Sequence, residues 1–211
     1  MNIIFLGAPG SGKGTVSQIA AREYNLQILS TGEILKNMAH ENHPLGLRAR
    51  DEYWGKGFLV PDEIMLPLLE EEISKTIYQK GLILDGFPRT IPQAEKLEEI
   101  IKIDPVINLL CSEELITKRI LARMQCKKCN KPYGLNPRPP ENRICRCGGE
   151  IYQRVDDTEE TIKRRLNEYE NKTLPLIKFY KERIITVDQD EKTTPESCFD
   201  DVKKALDSYL S

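Results

Sequence analysis

The 211-residue sequence predicts an α/β fold in which a parallel sheet is covered by helices on both faces. Short apolar runs rich in β-branched residues alternate with segments of helical periodicity, and a parallel sheet requires this order of elements. One segment rich in cysteine and proline interrupts the alternation. Because both of its ends lie near helix boundaries, we interpret it as an insertion rather than a terminal domain.

Five apolar runs are the strand candidates, and each is short enough for a strand buried on both faces. All of them except the run at 26–29 precede segments with helical periodicity, as strands of a parallel sheet do. The candidates are residues 3–6, 26–29, 82–84, 106–110 and 184–187.

Helices are predicted between these runs, at residues 12–24, 90–102, 112–123, 157 to about 171, and 195–210. Thr90 and Gln93 have the spacing of a capping box. Ser112 is a helix cap, and the acidic residues after it suit the positive end of a helix. Pro175 is expected to break or bend the helical segment before it.

The composition is that of an ordinary soluble domain, with 39% hydrophobic residues, 30% charged residues and a net charge of −2. A duplex DNA-binding protein is usually strongly basic, and this chain is not. No apolar run approaches the ~20 residues that span a bilayer. We interpret the N-terminus "MNIIFLGAPG" as a buried strand rather than a signal peptide, and we expect a cytoplasmic protein whose cysteines are thiols or metal ligands.

The stretch "IIFLGAPGSGKGT" is a strand, a glycine-rich loop and a helix start. Glycines at these positions let backbone N–H groups approach phosphate oxygens, and the helix N-terminus adds its positive end. Lys13 supplies a full charge to the outer phosphates. The usual pattern has Ser or Thr directly after the lysine, but Gly14 stands there and Thr15 follows. The missing hydroxyl predicts that a carboxylate elsewhere helps to hold Mg²⁺.

The stretch "GLILDGFPRT" offers that carboxylate. An apolar strand ends in Asp85, where the second strand of a phosphate-binding fold delivers an aspartate to hydrated magnesium. Gly86 permits a close approach of the backbone, and Arg89 follows a rigid proline.

The motifs "GAPGSGKGT" and "DGFPRT" resemble those of the nucleoside monophosphate kinases. With "STGEIL" and the cysteine segment added, the chain resembles, almost end to end, the bacterial adenylate kinase family with a zinc-type lid. The resemblance implies a P-loop NTPase fold with a five-stranded parallel sheet, a small helical AMP-binding insert and a zinc-ribbon-like lid insert. It divides the chain into a core domain (1–29, 61–121 and 158–211), an AMP insert (30–60) and a lid (122–157).

The resemblance also implies reversible transfer of the terminal phosphate of Mg·ATP to AMP, which gives two ADP. The implied ATP-binding residues are Gly10, Ser11, Gly12, Lys13, Gly14, Thr15, Arg119, Arg123, Pro132, Tyr133 and Gln189. The implied AMP-binding residues are Thr31, Gly32, Lys36, Phe58, Leu59, Val60, Gly86, Phe87, Arg89, Gln93, Arg154 and Arg165. Lys13, Asp85, Arg89, Arg123, Arg154 and Arg165 are the catalytic candidates, and Asp156 and Asp157 are expected to orient the arginines.

This chemistry needs no general base, because the attacking oxygen belongs to a phosphate that is already anionic. His40 and His43 lie in a polar stretch and are interpreted as surface residues. Arg119 and Arg123 are four residues apart and can point at one site from one helix face. Lys36 stands where the family most often has arginine, so a weaker AMP site is expected. Thr31 favours AMP over UMP or CMP, since pyrimidine-directed relatives usually carry alanine there.

Four cysteines in "CKKCNKPYGLNPRPPENRICRCGGE" have metal-ligand spacing: Cys126, Cys129, Cys145 and Cys147. The first pair is a standard zinc knuckle, whereas the second is one residue shorter than usual. A structural Zn²⁺ bound by all four is the prediction, because the insert is too small for a core of its own. A three-cysteine site with another ligand, or a lid without metal, remains open.

Three other functions remain open. One is another phosphate-transferring kinase, such as a UMP/CMP kinase. The second is a zinc-ribbon module that binds nucleic acid, although the segment offers only Tyr133 as an aromatic residue among its basic ones. The third is a nucleotide switch without transfer activity. With the adenylate kinase family as the prediction, the expected partners are ATP, AMP and ADP, with no nucleic acid and no membrane. The protein is expected to be a monomer.

Overall fold

The computed structural model describes residues 1–154 and 157–210, with the Leu210 side chain left out. Its main sheet has five parallel strands in the order β2-β3-β1-β4-β8. The predicted α/β fold with a five-stranded parallel sheet is therefore confirmed. These strands are β1 (Asn2–Gly7), β2 (Gln27–Ser30), β3 (Leu82–Asp85), β4 (Val106–Cys111) and β8 (Ile184–Gln189).

Both faces of the sheet are buried, as expected for parallel strands that read as continuous apolar runs. Alternate residues of β1 enter different cores. Ile4 and Leu6 join one core, and Ile3 and Phe5 join the other. The chain thus forms three layers, with β1 at the centre.

The helices of the described residues are α1 (Lys13–Tyr24), α2 (Thr31–His40), α3 (Pro44–Arg48), α4 (Asp62–Ile73), α5 (Ile91–Ile100), α6 (Glu113–Leu121), α7 (Glu159–Glu168), α8 (Pro175–Phe179) and α9 (Pro195–Leu210). None of them is long and apolar enough to span a bilayer. α4, α5 and α8 cover one face of the sheet, and α1 and α9 cover the other.

The predicted caps of α5 and α6 are confirmed, because Thr90 and Ser112 each accept the backbone N–H of the residue three positions later. The start predicted at Asp157 was wrong. Thr158 caps α7, and the Asp157 side chain binds arginines instead. The expected capping box is half present, since Gln93 accepts from the N–H of Arg89 rather than from that of Thr90.

Residues 31–56 are almost entirely helical, with a π-helical turn at Ala49–Tyr53 and a 3₁₀ turn at Trp54–Lys56 after α3. A second π-helical turn, Tyr169–Thr173, joins α7 to α8, and Pro175 is the first residue of α8. This geometry confirms the expected break near Pro175. It also turns the chain so that Thr173 reaches the segment after β3.

The cysteine segment forms a small antiparallel sheet in the order β6-β5-β7. Its strands are β5 (Met124–Cys126), β6 (Pro132–Tyr133) and β7 (Ile151–Tyr152). The buried residues of this segment form a cluster separate from the two main cores: Met124, Cys126, Tyr133, Cys145 and Ile151.

Candidate active site

A cleft of about 540 Å³ opens at the carboxyl ends of β1, β2, β3 and β8. This volume lies within the usual range for small-molecule sites. All of the predicted nucleotide-binding residues except Ser11 line it, together with Asp85. The Ser11 side chain is fully buried, with its hydroxyl lacking a hydrogen-bond partner.

The phosphate loop connects β1 to α1, and Lys13 lies across it. The Lys13 ammonium donates to the carbonyl oxygens of Gly7 at 2.6 Å and Ala8 at 2.8 Å. Desolvation lowers the pKa of Lys13 to about 8, although the nearby Asp85 carboxylate opposes the shift. The ammonium is thus preorganised at the floor of the cleft but only partly protonated near pH 8.

Asp85 ends β3 opposite the phosphate loop. A Cβ atom built on Gly14 would lie 3.2 Å from Asp85 Oδ2, so Asp85 uses the space that a side chain after the lysine would need. Desolvation raises the pKa of Asp85, and Lys13 and Arg89 act in the opposite direction. The absence of a side chain at Gly14 therefore leaves room for the Asp85 carboxylate beside the phosphate loop.

Arg89 is held by the turn that follows Asp85. Its Nε donates to the carbonyl of Gly86 at 2.7 Å. Gly86 has φ +77°, and a Cβ there would lie 2.8 Å from an Arg89 guanidinium nitrogen. The Thr173 hydroxyl donates to the Arg89 carbonyl at 2.9 Å. Desolvation by the cleft walls lowers the pKa of Arg89, although its side chain is open to the cleft.

Arg119 on α6 and Gln189 at the end of β8 both contact the phosphate loop. Arg119 donates to Gln189 Oε1 at 2.9 Å and to the Ser11 carbonyl at 3.3 Å. Gln189 donates to the same carbonyl at 2.9 Å. Both side chains also line the cleft, so each can fix the loop and face a ligand.

Asp157 joins two of the predicted catalytic arginines. The Asp157 side chain is fully buried. Its carboxylate accepts hydrogen bonds from Arg123 through both oxygens and from Arg165 at 3.4 Å. Arg123 lies two residues beyond α6, so Arg119 and Arg123 do not share the helix face that was predicted. Arg154 also lines the cleft. Asp156, the other predicted orienting residue, lies outside the described residues.

The opposite end of the cleft is formed by Thr31, Lys36, the segment 57–60 and Gln93. Leu59 N–H donates to Glu168 at 3.3 Å, and the Arg164 guanidinium lies 5.7 Å from the centre of the Phe58 ring. Glu168 and Thr173 line the cleft, and Arg164 contacts the segment 56–58 beside it, but the sequence does not predict any of the three. They lie more than 80 residues from their partners, and no local pattern marks them.

Comparison with known proteins decides the family. A family model described as adenylate kinase matches residues 5–185. The chain is 41% identical over 218 aligned residues to "Adenylate kinase" of Archaeoglobus fulgidus, with all of both chains covered. It is 43% identical to the Caldicellulosiruptor bescii protein of that name, over 89% of this chain and 90% of the relative. A relative from Methanosarcina acetivorans is 40% identical over 99% and 100% of the two chains.

The chain belongs to the adenylate kinase family. It is a nucleoside monophosphate kinase, an ATP:AMP phosphotransferase, and the family acts on ATP and AMP. The resemblance stated from the motifs is thereby confirmed, and neither a nucleic-acid-binding module nor a switch without transfer activity accounts for relatives that match end to end.

This adenylate kinase also carries a group able to hold a metal ion. The sulfur atoms of Cys126, Cys129, Cys145 and Cys147 all lie within 4.8 Å of one another. Two of the separations are 3.5 and 3.6 Å, close to the ~3.8 Å between corners of a tetrahedron with Zn–S bonds of about 2.3 Å. The short arm between Cys145 and Cys147 therefore still brings four sulfurs around one point.

The cysteine segment packs tightly around these sulfurs. The Lys128 N–H approaches Cys126 Sγ at 3.4 Å, and a Cβ on Gly149 would lie 2.7 Å from the same sulfur. The Cys147 backbone N–H and the Tyr133 hydroxyl lower the pKa of Cys145 to about 6, which favours a thiolate ligand. Tyr133 was predicted to face ATP. It lines the cleft, but its hydroxyl donates to Cys145 Sγ at 3.2 Å and its side chain belongs to the buried cluster of the cysteine segment.

Proposed function

We propose that the ATP triphosphate binds over the phosphate loop and that AMP binds at the opposite end of the cleft, between Thr31 and Gln93. The terminal phosphate of ATP then passes to the AMP phosphate, and two ADP are released. The observation that carries this proposal is the convergence of Lys13, Arg89, Arg123 and Arg165 on one cleft that also holds Asp85.

The ATP side of the proposal depends on backbone N–H groups and on fixed positive charge. Gly10–Thr15 surround the phosphates, and the α1 N-terminus points its positive end at them. Lys13 would exchange its two carbonyl partners for phosphate oxygens. Arg119 and Gln189 hold the loop in shape. Pro132 and Tyr133 would contact the nucleoside from the lid.

The AMP side of the proposal depends on a set of residues from three segments. Thr31, Gly32 and Lys36 contact the phosphate and ribose from the start of α2. Phe58, Leu59 and Val60 line the base pocket. Gly86, Phe87, Arg89, Gln93, Arg154 and Arg165 complete the site from the opposite side.

The transfer step needs positioning and charge neutralisation rather than proton transfer. The attacking oxygen belongs to the AMP phosphate and is already anionic. Arginines fixed by Asp157 and Gly86 are arranged before the ligands bind, so little reorganisation accompanies the reaction. One well-placed arginine can be worth roughly 10³ to 10⁵ in rate.

The metals of the proposal are Mg²⁺ with ATP and a structural Zn²⁺ in the lid. Asp85 presents a carboxylate oxygen, the ligand type that Mg²⁺ prefers, beside the position of Gly14. Mg²⁺ would neutralise phosphate charge when bound. The four cysteine sulfurs suit Zn²⁺. A zinc site with four protein ligands has no open position for substrate, so this Zn²⁺ would be structural.

We further propose the division into a core (1–29, 61–121 and 158–211), an AMP insert (30–60) and a lid (122–157). Closure of the lid over ATP would exclude water and so suppress hydrolysis. A monomeric, cytoplasmic enzyme without nucleic-acid or membrane partners fits this proposal. A net charge of −2 is consistent with it.

The test is a coupled assay for ADP formed from ATP and AMP, with UMP, CMP and dCMP as competing acceptors. We expect activity with AMP far above that with the pyrimidine nucleotides. Lys13→Ala and Arg89→Ala should be nearly inactive, whereas the surface variants Lys163→Ala and Arg22→Ala should resemble the parent. A folded parent protein that forms no ADP would contradict the proposal.

A further inference from the structure

Asp62 lies at the start of α4 and binds the side chain of Gln93, which lines the cleft. Asp62 Oδ1 accepts from the Gln93 amide nitrogen at 2.6 Å, and Asp62 Oδ2 accepts from the Thr90 hydroxyl at 2.9 Å. The Gln93 amide oxygen accepts from the Arg89 N–H at 2.7 Å. Gln93 is 3% exposed, so water competes little with these bonds.

These partners fix which way the amide of Gln93 points. A carboxylate only accepts hydrogen bonds, and a backbone N–H only donates them. If the amide rotated by half a turn, its oxygen would face the Asp62 carboxylate and its nitrogen would face the Arg89 N–H. Both contacts would then be repulsive, and each buried polar group would lose a partner.

Each amide atom keeps bonding capacity that its protein partner does not use. The nitrogen retains a second N–H, and the oxygen retains a second lone pair. A base edge with a donor beside an acceptor matches this pair in only one order. The 6-amino group and N1 of adenine supply a donor and an acceptor, whereas the 6-oxo group and N1–H of hypoxanthine supply the reverse.

We propose that Asp62 is a specificity-determining positioning residue that holds the Gln93 amide in the orientation that accepts a 6-aminopurine and rejects a 6-oxopurine. The inference rests on the proposed function, in which Gln93 reads the base of the acceptor nucleotide. Asp62 itself acts through Gln93 rather than on the nucleotide.

The test is calorimetric measurement of the dissociation constants of AMP and IMP, which share their ribose and phosphate. The parent protein should bind AMP much more tightly than IMP. Asp62→Ala should reduce this preference at least tenfold, because only the Arg89 N–H then orients the amide. Asp62→Asn should retain more of the preference than Asp62→Ala, since its side-chain oxygen can still accept from Gln93.

The matched control is Glu63→Gln, an exposed neighbour on the same helix turn, which should keep the preference of the parent. Loss of packing alone would weaken the binding of both nucleotides alike and leave the ratio of their dissociation constants unchanged. An unchanged ratio in folded Asp62→Ala, or a parent that does not discriminate, would overturn the inference. Failure to form ADP from AMP would instead overturn the proposed function.

Discussion

Individual side chains in the cleft are set by close neighbours rather than by their own preferences. Gly14 leaves room for Asp85, Gly86 leaves room for the Arg89 guanidinium, and burial lowers the pKa of Lys13. The phosphate loop and Asp85 could be predicted from the sequence because strand, glycine turn and helix follow one another locally. The spatial link between Gly14 and Asp85 could not, because it depends on the packing of β1 beside β3.

Gly86→Ala tests the turn that holds Arg89. The substitution puts a Cβ 2.8 Å from the guanidinium at a φ of +77°, which both strains the backbone and displaces the arginine. We expect a loss of roughly 10²-fold in kcat/KM for AMP, the scale associated with a displacement of about 1 Å. Steady-state kinetics measure it, and a thermal melt verifies folding. Kinetics like those of the parent would show that Arg89 does not depend on this turn.

Lys13 is expected to couple ATP binding to proton uptake. Its pKa of about 8 is lowered by desolvation, and phosphate charge raises it again. Binding at pH 8 should therefore take up about half a proton, and the affinity for ATP should fall as the pH rises above 8.

Titration calorimetry at pH 8 in buffers of different ionisation enthalpy measures this uptake. Lys13→Arg is the control, because arginine stays charged and should take up no proton. Equal apparent enthalpies in all buffers for the parent would contradict the prediction.

Lys36→Arg tests the departure from the usual family residue in the AMP site. Arginine adds a planar fork that can grip a phosphate through two hydrogen bonds. We expect the apparent KM for AMP to fall severalfold while that for ATP stays unchanged. If the KM for AMP does not fall, position 36 does not contact the AMP phosphate in this protein.

Single elements bring distant segments together in ways that periodicity does not encode. The strands and most helix positions could be predicted, because apolar runs and cap residues are local signals. The start of α7 was mispredicted because Asp157 resembles a helix cap, yet arginines compete for its carboxylate. The bond between Asp62 and Gln93 joins helices 31 residues apart, and Glu168 meets Leu59 across 109 residues. Such pairs arise only when α4, α5 and α7 pack.

Asp157→Asn tests the connection between the end of α6 and the start of α7. The change removes the charge that pairs with Arg123 and Arg165, while the shape of the side chain is retained. We expect kcat to fall roughly tenfold or more, and the KM values to change less, because oriented charge acts mainly on the transition state. Steady-state kinetics measure the effect. The control is Asp200→Asn, which changes an exposed carboxylate on α9. An unchanged kcat would show that Asp157 is not needed to orient these arginines.

The whole molecule combines a large sheet that has a buried core on each face with the proposed lid, which has a separate buried cluster. Five largely buried residues are too few to stabilise the lid by hydrophobic burial alone. The folding of the lid should therefore depend on the proposed Zn²⁺. The cysteine spacing was enough to predict that the four sulfurs lie together. The fit of the short arm was not predictable, because it depends on the turn through Gly148 and Gly149.

Removal of zinc should therefore loosen the lid and leave the main sheet folded. We expect about one equivalent of zinc in the native protein. After chelation, proteolysis should be faster within residues 124–152, and the main thermal transition should change little. Metal analysis that finds less than half an equivalent, or chelated protein with an unchanged cleavage pattern, would contradict the prediction.

The position of β1 at the centre of the sheet has a consequence for synthesis on the ribosome. The phosphate loop is among the first residues made, but both neighbours of β1 follow only at Leu82–Asp85 and Val106–Cys111. Gln189, which supports the loop, is made near the end of the chain. Because chains emerge at about 5–20 residues per second, an apolar strand waits several seconds or more for its partners. We expect the nascent chain to depend on chaperones during this interval and to gain nucleotide affinity only when its C-terminal quarter has been released.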